Sequence, residues 1–294
     1  MIGAIFTTAF VAQFIRIAVP YAFAALGGSI TERSGVIDLA LEAKLLFGAF
    51  AAAAIAHATD SAWLGIAAGL SAGALVAAAQ IGCALWLGAD QVIVGIALNI
   101  LALSGTRFLL QLLYHEGANS PPAPAFGSVI LTNPLVIGAV LAAVIVPLAM
   151  THTRWGVRLR AAGDRPEALV AVGVSPRRTR LAAGLVGGAL AGAGGAQLSL
   201  AVGGFSADMS SGRGYIALAM VILVGWRPAL AALACVGVAI AEALNIAIQI
   251  SHATVLGHRI PSELASLLPY AMTLVVLVAY RGRSRRPEAL GQQL

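Results

Sequence analysis

The sequence predicts an all-α fold: a polytopic membrane helix bundle of about 8–10 spanning segments, with broken helices and a candidate inverted repeat. Three observations carry this reading. The 294-residue chain is 60% hydrophobic and 10% charged, with mean hydropathy +0.91, whereas soluble domains carry about 25% charged residues. Its apolar residues fall in runs of the roughly 20 residues that a bilayer crossing needs. Its 33 glycines, with Ala dominating many of the runs, suit helices that approach closely in lipid, where packing holds them together. A single transmembrane domain over residues 1–294 accounts for the length and leaves no room for a soluble catalytic domain.

Taken in order, candidate spans cover 5–27, 37–57, 62–88, 91–113 and 131–151, then 181–202, 214–226, 229–250 and 263–280. Segment 214–226, GYIALAMVILVGW, is short for a full crossing and reads as a partial helix. Loop 114–130 holds Pro121, Pro122 and Pro124 and no Lys or Arg, so it is expected to face outward. The polar segment 152–180 carries Arg154, Arg158, Arg160, Arg165, Arg177, Arg178 and Arg180, which mark it as a cytoplasmic loop. The tail 281–294, with Arg281, Arg283, Arg285 and Arg286, should also face inward. An even number of candidate segments lies between these two positive stretches, as a shared side requires. The spans before the loop then put the N-terminus outside, although Arg16 inside the first span runs against that count.

Several function classes fall away. The net charge of +6 suggests nucleic acid at first sight, but the arginines cluster beside spans and serve orientation instead. Cys83 and Cys235 lie in apolar runs without ligand spacing and read as small buried hydrophobes. The N-terminus lacks a basic n-region and a small-residue cleavage site, so no cleaved signal peptide is expected. His57, His115, His152, His252 and His258 have no paired spacing, so no metal site is expected. The chain has no P-loop, no G-x-S-x-G and no pair of membrane aspartates, and so is not expected to be an enzyme or to hydrolyse ATP.

Internal similarity links two polar breaks. Gly27-Gly28 precedes Ser34-Gly35, Ala40-Leu41, Leu46 and Gly48; Gly203-Gly204 precedes Ser211-Gly212, Ala217-Leu218, Leu223 and Gly225. From each Ser-Gly pair onward the spacing is the same, and the predicted topology sets the copies on opposite sides. Such inverted repeats with interrupted helices are a common transporter construction.

Each break carries polar groups. In SITERSGVIDLALEAK, Asp38 and Glu42 stand four apart and would share a helix face. They read either as lining of a polar pathway or as an interfacial helix start with Lys44 pairing locally. Glu32 and Arg33 fit the interfacial start better. In GGFSADMSSGRGY, Ser206, Asp208, Ser210, Ser211 and Arg213 precede the short helix, either as solute-binding groups or as a solvated, capping loop. Gln80, Arg107, Gln111, Gln197 and Gln249 within spans read as interhelical hydrogen-bond partners. Asn99, Glu242 and Asn245 lie deepest and are the better pathway candidates.

At these breaks and in the arginine loop the chain resembles a known family. The pattern G-G-x-x-S-E-R-S-G-V-x-N-x-G-L-E-G followed by G-A-F has its counterpart in GGSITERSGVIDLALEAKLLFGAF, with Glu32-Arg33-Ser34-Gly35-Val36, Leu41-Glu42 and Gly48-Ala49-Phe50 matching. Gly163-Asp164-Arg165-Pro166-Glu167-Ala168 and Gly173 are similar to its G-x-N-P-x-A-A-x-x-x-G coupling segment, and GRGYIALA with GWRP also fits. This resembles the permease subunits of bacterial ABC importers in the branched-chain amino acid and simple-sugar permease superfamily, nearest the nucleoside-type branch that works with basic-membrane-protein lipoproteins. Asp38 stands where that family has Asn, Ala40 and Ala43 replace Gly, Leu169 replaces Ala, and Lys44 replaces an apolar residue.

The resemblance implies a permease in the bacterial cytoplasmic membrane, moving a small polar solute by alternating access. It implies a cytoplasmic ATPase subunit that holds ATP and Mg²⁺, so this chain needs no cofactor of its own. It also implies a second permease subunit, as a heterodimer, and an extracytoplasmic solute-binding protein. Gly163, Asp164, Pro166, Glu167, Ala168 and Gly173 would couple to the ATPase; Asp38, Glu42, Asn99, Asp208, Ser210, Ser211, Arg213 and Asn245 would line the pathway. A nucleoside is the first expected solute, a simple sugar the second and a branched-chain amino acid the third. The rival reading is an ion-coupled secondary transporter using Asp38, Glu42 or Glu242.

Overall fold

The computed structural model describes residues 8–126, 133–251, 254–255, 258–259, 267–279 and 286–292. Five helices precede the arginine segment: α1 (Thr8–Arg33), α2 (Leu41–Thr59), α3 (Ala62–Trp86), α4 (Gln91–Tyr114) and α5 (Pro134–His152). That segment folds as α6 (Arg154–Asp164) and α7 (Pro166–Ala171). Then follow α8 (Pro176–Leu200), α9 (Arg213–Leu223), α10 (Pro228–Ser251), a minimal antiparallel pair β1 (Thr254–Val255) and β2 (His258–Arg259), and α11 (Leu268–Ala279). Among the described residues, seven helices are long and apolar enough to cross a membrane: α1 to α5, α8 and α10. The α9 helix has 11 residues, about 16 Å at 1.5 Å per residue, and spans only part of a bilayer.

Local chemistry sets the boundaries. Asp90 accepts the Val92 and Ile93 amides at 2.8 and 3.1 Å to start α4, and Asn133 accepts the Leu135 amide at 2.9 Å to start α5. Ser175 caps α8, with Pro176 in its first turn. The α2 and α4 helices end on the left-handed residues Asp60 and His115.

The Gly- and Ala-rich α8 runs through the centre, packed against α1, α2 and α3. A Cβ on Gly192 would fall on the Gly69 carbonyl oxygen, and one on Gly27 would fall on that of Gly187. Backbones at this distance exclude side chains, which is how small residues bind helices in lipid. The outer faces of α3, α4 and α5 carry exposed Leu75, Ile93, Ile100, Phe108 and Leu141, as a lipid-facing surface does. Trp63 and Trp86, both exposed, sit at opposite ends of α3, about 34 Å apart along the axis at 1.5 Å per residue, which suits the two interfaces.

Two expected boundaries are corrected. The first span does not end at Gly27-Gly28; α1 continues to Arg33, because both glycines are helical and serve close packing, Gly27 on α8 and Gly28 on Leu41. The α2 helix starts at Leu41 rather than near 37, so Asp38 is not on a helix and shares no helix face with Glu42. Expected span 263–280 is seen as α11, with residues 263–266 and 280 outside the described set.

The inverted order is visible in the packing. Gly27 of α1 meets Gly187 while Pro20 meets Gly194, so α1 and α8 run antiparallel. Leu41, which meets Gly28, clusters with Ala191, so α2 starts about halfway along the 25-residue α8 and continues in the same direction as α8. The α9 helix starts against Glu42 of α2, and Trp226 beyond its end bonds Glu32 near the end of α1, so α9 leaves the centre the opposite way. Units α1–break–α2–α3 and α8–break–α9–α10 are thus built in reverse sense. The Gly-Gly pairs are not equivalent, since Gly203 lies in a turn at φ 73°, but Gly35 and Gly212 are both left-handed breaks, at φ 98° and 79°.

The α8 packing gives a direct test. Gly192→Leu should lower the thermal midpoint of the detergent-purified protein by an amount equivalent to about 1–3 kcal/mol or more, whereas Gly105→Ala, whose Cβ would make an ordinary contact 3.7 Å from Phe47, should leave it unchanged.

Candidate functional site

The site is the place where the two breaks meet. Residues 34–40 are non-helical yet largely buried, so every peptide group there needs a partner from the protein. Side chains supply them. Gln91 Oε1 accepts the Ile37 amide at 2.8 Å, and Gln80 Nε2 donates to the Ile37 carbonyl at 2.9 Å. Asn99 donates from Nδ2 to the Leu39 carbonyl at 2.8 Å and accepts the Ala43 amide on Oδ1 at 2.9 Å. Glu32 Oε1 accepts the Asp38 amide at 3.3 Å. Gly35 must be glycine twice over: it has positive φ, and a Cβ would stand 2.7 Å from Arg180 Nη2.

The second break, 203–212, is held at its outer part by strand-like pairing with 118–123. Ser120 N donates to Phe205 O at 2.8 Å, Ala123 N to Gly203 O at 2.8 Å and Ala207 N to Ala118 O at 2.7 Å. Left-handed turns at Asp208, Ser211 and Gly212 then bring the chain inward to α9. There Glu42 takes over: its Oε1 accepts the Gly212 amide at 2.8 Å and its Oε2 the Gly214 amide at 2.7 Å. The carboxylate of α2 therefore neutralises the positive N-terminal end of α9. Gly214 permits the approach, since a Cβ would stand 2.6 Å from Glu42 Cα.

The remaining charges are paired in the same region. Asp38 and Lys44, both fully buried, form a salt bridge. Arg213 Nη2 bonds Glu242 Oε1 at 2.5 Å, and its guanidinium lies 6.0 Å from the Tyr21 ring centre. Glu32 Oε2 accepts the Trp226 indole N–H at 2.5 Å. Of the predicted pathway residues, the fold brings Asp38, Glu42, Asn99, Ser210 and Arg213 to this meeting point. Asp208 and Ser211 are exposed on the descending strand, and Asn245 lies one turn beyond Glu242, accepting from Gln249 Nε2 at 2.7 Å.

Sequence reasoning missed Glu32, Gln80, Gln91 and Trp226. Glu32 is no solvated interfacial group but a buried tie between α1, the first break and the end of α9. Gln80 had been read as a generic interhelical partner; its partner is a non-helical carbonyl. The two unusual residues Asp38 and Lys44 are one feature, a matched pair.

At the arginine end, α7 presents Glu167, Ala168, Val170 and Ala171, followed by Val172 and Gly173, while Pro166 and Leu169 pack inward. Val170 and Val172 are 64% and 71% exposed, and Gly173 sits at φ 72° with open space around it. Gly163 faces inward, where a Cβ would fall on the Arg33 carbonyl oxygen, and Asp164 pairs with Arg33 at 3.5 Å. The predicted coupling residues thus divide into an exposed set, Glu167, Ala168 and Gly173, a buried set, Gly163 and Pro166, and Asp164, half-exposed beside Arg33.

The buried pair yields a double-mutant test. Asp38→Asn alone strands a buried ammonium and should cost about 3–5 kcal/mol of stability. Asp38→Asn with Lys44→Leu should return close to the parent in thermal unfolding, since no charge is then left unpaired.

The family model for the permease component of branched-chain amino acid transport systems matches residues 10–277. Among curated proteins, the nucleoside ABC transporter permease protein NupC of Lactococcus lactis is 30% identical, covering 96% of this chain and 95% of its own. The guanosine ABC transporter permease protein NupQ of Bacillus subtilis is 28% identical, over 93% and 92%. A putative glucose ABC transporter permease protein of Haloferax volcanii is 33% identical over 70% and 67%. No solved structure matches the chain. With the match running from α1 into α11, the chain belongs to the permease component family of branched-chain amino acid transport systems.

Proposed function

We propose that this chain is the membrane permease of an ATP-binding-cassette importer that carries nucleosides across the bacterial cytoplasmic membrane. It is a transport subunit and not an enzyme. The full-length similarity to nucleoside and guanosine permeases supports the class. The observation that carries the solute assignment is the state of the centre. Glu42 already occupies the N-terminal end of α9, Asn99 takes the Ala43 amide at the start of α2, and Arg213 and Lys44 are each paired. Among the described residues there, a solute carboxylate would compete with Asp38 for Lys44, with Glu242 for Arg213 and with Glu42 for the start of α9. A neutral solute with hydroxyls and a base edge meets hydrogen-bonding groups without displacing a salt bridge. This favours a nucleoside over a branched-chain amino acid. A simple sugar, also neutral, is the second reading, supported by the glucose-type relative.

The energy enters at α7. ATP and Mg²⁺ belong to a separate cytoplasmic ATPase subunit, whose surface receives Glu167, Ala168, Val170 and Val172. These are exposed residues of a short helix and of the turn that ends it, which Pro166 and Leu169 seat on the bundle. A second, sister permease completes the pathway, and a solute-binding protein docks at the opposite end, over loop 114–126 and residues 203–207. ATP drives transport by favouring one of two arrangements of α2 and α9. Ion-coupled transport is the weaker reading, because it leaves the exposed coupling helix without a task.

Two measurements test this. Proteoliposomes holding the complete complex should take up radiolabelled adenosine, guanosine and uridine with ATP and without any ion gradient; uptake driven by a gradient alone would reject the proposal. Val170→Asp should lower ATPase co-purification and ATP-driven uptake by about thirtyfold or more, the effect of losing one interface hot spot, while leaving thermal stability unchanged because the side chain is exposed.

A further inference from the structure

Arg180 is the largest fully buried side chain in the molecule's described residues, at 0% exposure. A topology-setting arginine works at the interface, in water and among headgroups, so complete burial needs another reason. Its partners supply one. The guanidinium donates from Nη1 to the Gln292 carbonyl at 2.7 Å, and from Nη2 to the carbonyls of Ala162 and Ala289, each at 3.2 Å. Ala162 belongs to the last turn of α6. Ala289 and Gln292 belong to the tail segment 286–292, which folds back onto the bundle.

The tail adds bonds of its own. The Ala289 amide donates to the Gly163 carbonyl at 2.8 Å, and the Gly291 amide donates to the Gly35 carbonyl at 3.0 Å. Gly291 sits at φ 80°, where a Cβ would stand 2.8 Å from Ile37 Cδ1. Leu290 packs against the cluster that holds Val224 and Trp226 at the end of α9. Seven residues therefore touch the end of α6, the first break and the end of α9 together. The arginine end has a second, shorter tie, in which Gly163 rests on Arg33 and Asp164 pairs with it; Gly163 also packs against Gly35, but the tail alone gives the break a backbone hydrogen bond from this end.

We infer that Arg180 and the 286–292 tail form a strut that carries displacement of the coupling helices α6 and α7 to the 34–40 break. Arg180 is a positioning residue: it touches no solute but fixes the tail between Gly163 and Gly35. With the strut seated, α6 cannot tilt without drawing on Gly35 and Ile37, and through them on Asp38 and its partner Lys44. Without it, α7 still receives the ATPase, but α6 meets the break only by packing on Gly35, with no hydrogen bond to carry its movement there. The inference rests on the transport reading above and gives the tail a role there.

The test uses the complete complex in proteoliposomes, with uptake of the three nucleosides and ATP hydrolysis followed in the same vesicles. Ala289→Pro removes the amide given to Gly163, and Gly291→Val sets a branched side chain at positive φ against Ile37. Both should leave ATP hydrolysis near the parent's while uptake per ATP falls about fivefold or more, the lower bound of ordinary allosteric coupling. Arg180→Lys keeps the charge but loses the forked geometry and should share the defect; a role confined to stability would lower its thermal midpoint and leave uptake per ATP unchanged. A second readout does not depend on the solute. In a Cys83→Ser, Cys235→Ser background, thiol labelling of Ile37→Cys should respond to ATP with the tail intact and cease to respond with Ala289→Pro, which acts on Gly163 and not on residue 37. A parent complex that moves no nucleoside but keeps this labelling response would overturn the solute assignment and leave the strut standing. Unchanged uptake per ATP, or an unchanged labelling response, in the tail variants would overturn the strut.

Discussion

The two oxygens of Glu42 accept the Gly212 and Gly214 amides, and through this contact a helix that starts halfway up the bundle holds another that starts at the same level and runs the other way. Much else follows from it. Because a stretch of non-helical chain leads into each of the two helices, the buried residues 34–40 and the inner part of 203–212 must have their peptide groups satisfied by the protein. Gln80, Gln91, Asn99 and Glu32 do this for the first break, and the 118–123 segment does it for the second. Gly214 is required because Glu42 approaches its backbone, and Gly35 and Gly212 because each break turns through positive φ.

The charges obey the same constraint. An unpaired ion at this depth is costly, and each has a partner: Lys44 for Asp38 nearby in the chain, Glu242 for Arg213 and the α9 amides for Glu42 from farther away. Pairing makes the centre electrically quiet, which suits a neutral solute. It also makes α2 and α9 a unit, since moving α9 disturbs both Glu42 and the Arg213–Glu242 bridge. A rigid α8, packed backbone to backbone against α1 and α3, gives this unit something to move against.

Much of this was legible in the sequence, and the reasons for the rest are physical. The long apolar runs gave the seven full helices, and the shortness of 214–226 gave the partial one, because hydropathy and length are local properties. Ser34-Gly35 and Ser211-Gly212 correctly marked both breaks. Gly27-Gly28 misled, since glycine in lipid serves close packing as readily as chain reversal, and only the position of α8 decides between them. Asp38 was set on a helix by its spacing from Glu42; the clamps that keep 34–40 extended come from residues 80, 91 and 99, whose proximity no local pattern encodes. The pairing of Lys44 with Asp38 was legible, being six residues apart. The burial of Arg180 was not, because its partners lie 109 and 112 residues away in a tail that reads as a simple positive flank.

The claim on which the account turns is that the meeting point of α2 and α9 is the closed centre of the pathway and opens only during the ATP cycle. Ser210 is fully buried beside it. In a background lacking Cys83 and Cys235, labelling of Ser210→Cys by a membrane-impermeant thiol reagent, applied to each face of proteoliposomes holding the complete complex, tests this most directly. The account predicts no labelling from either face at rest and labelling that appears from one face when ATP and the loaded binding protein are present. Steady labelling at rest, or none throughout turnover, would contradict it.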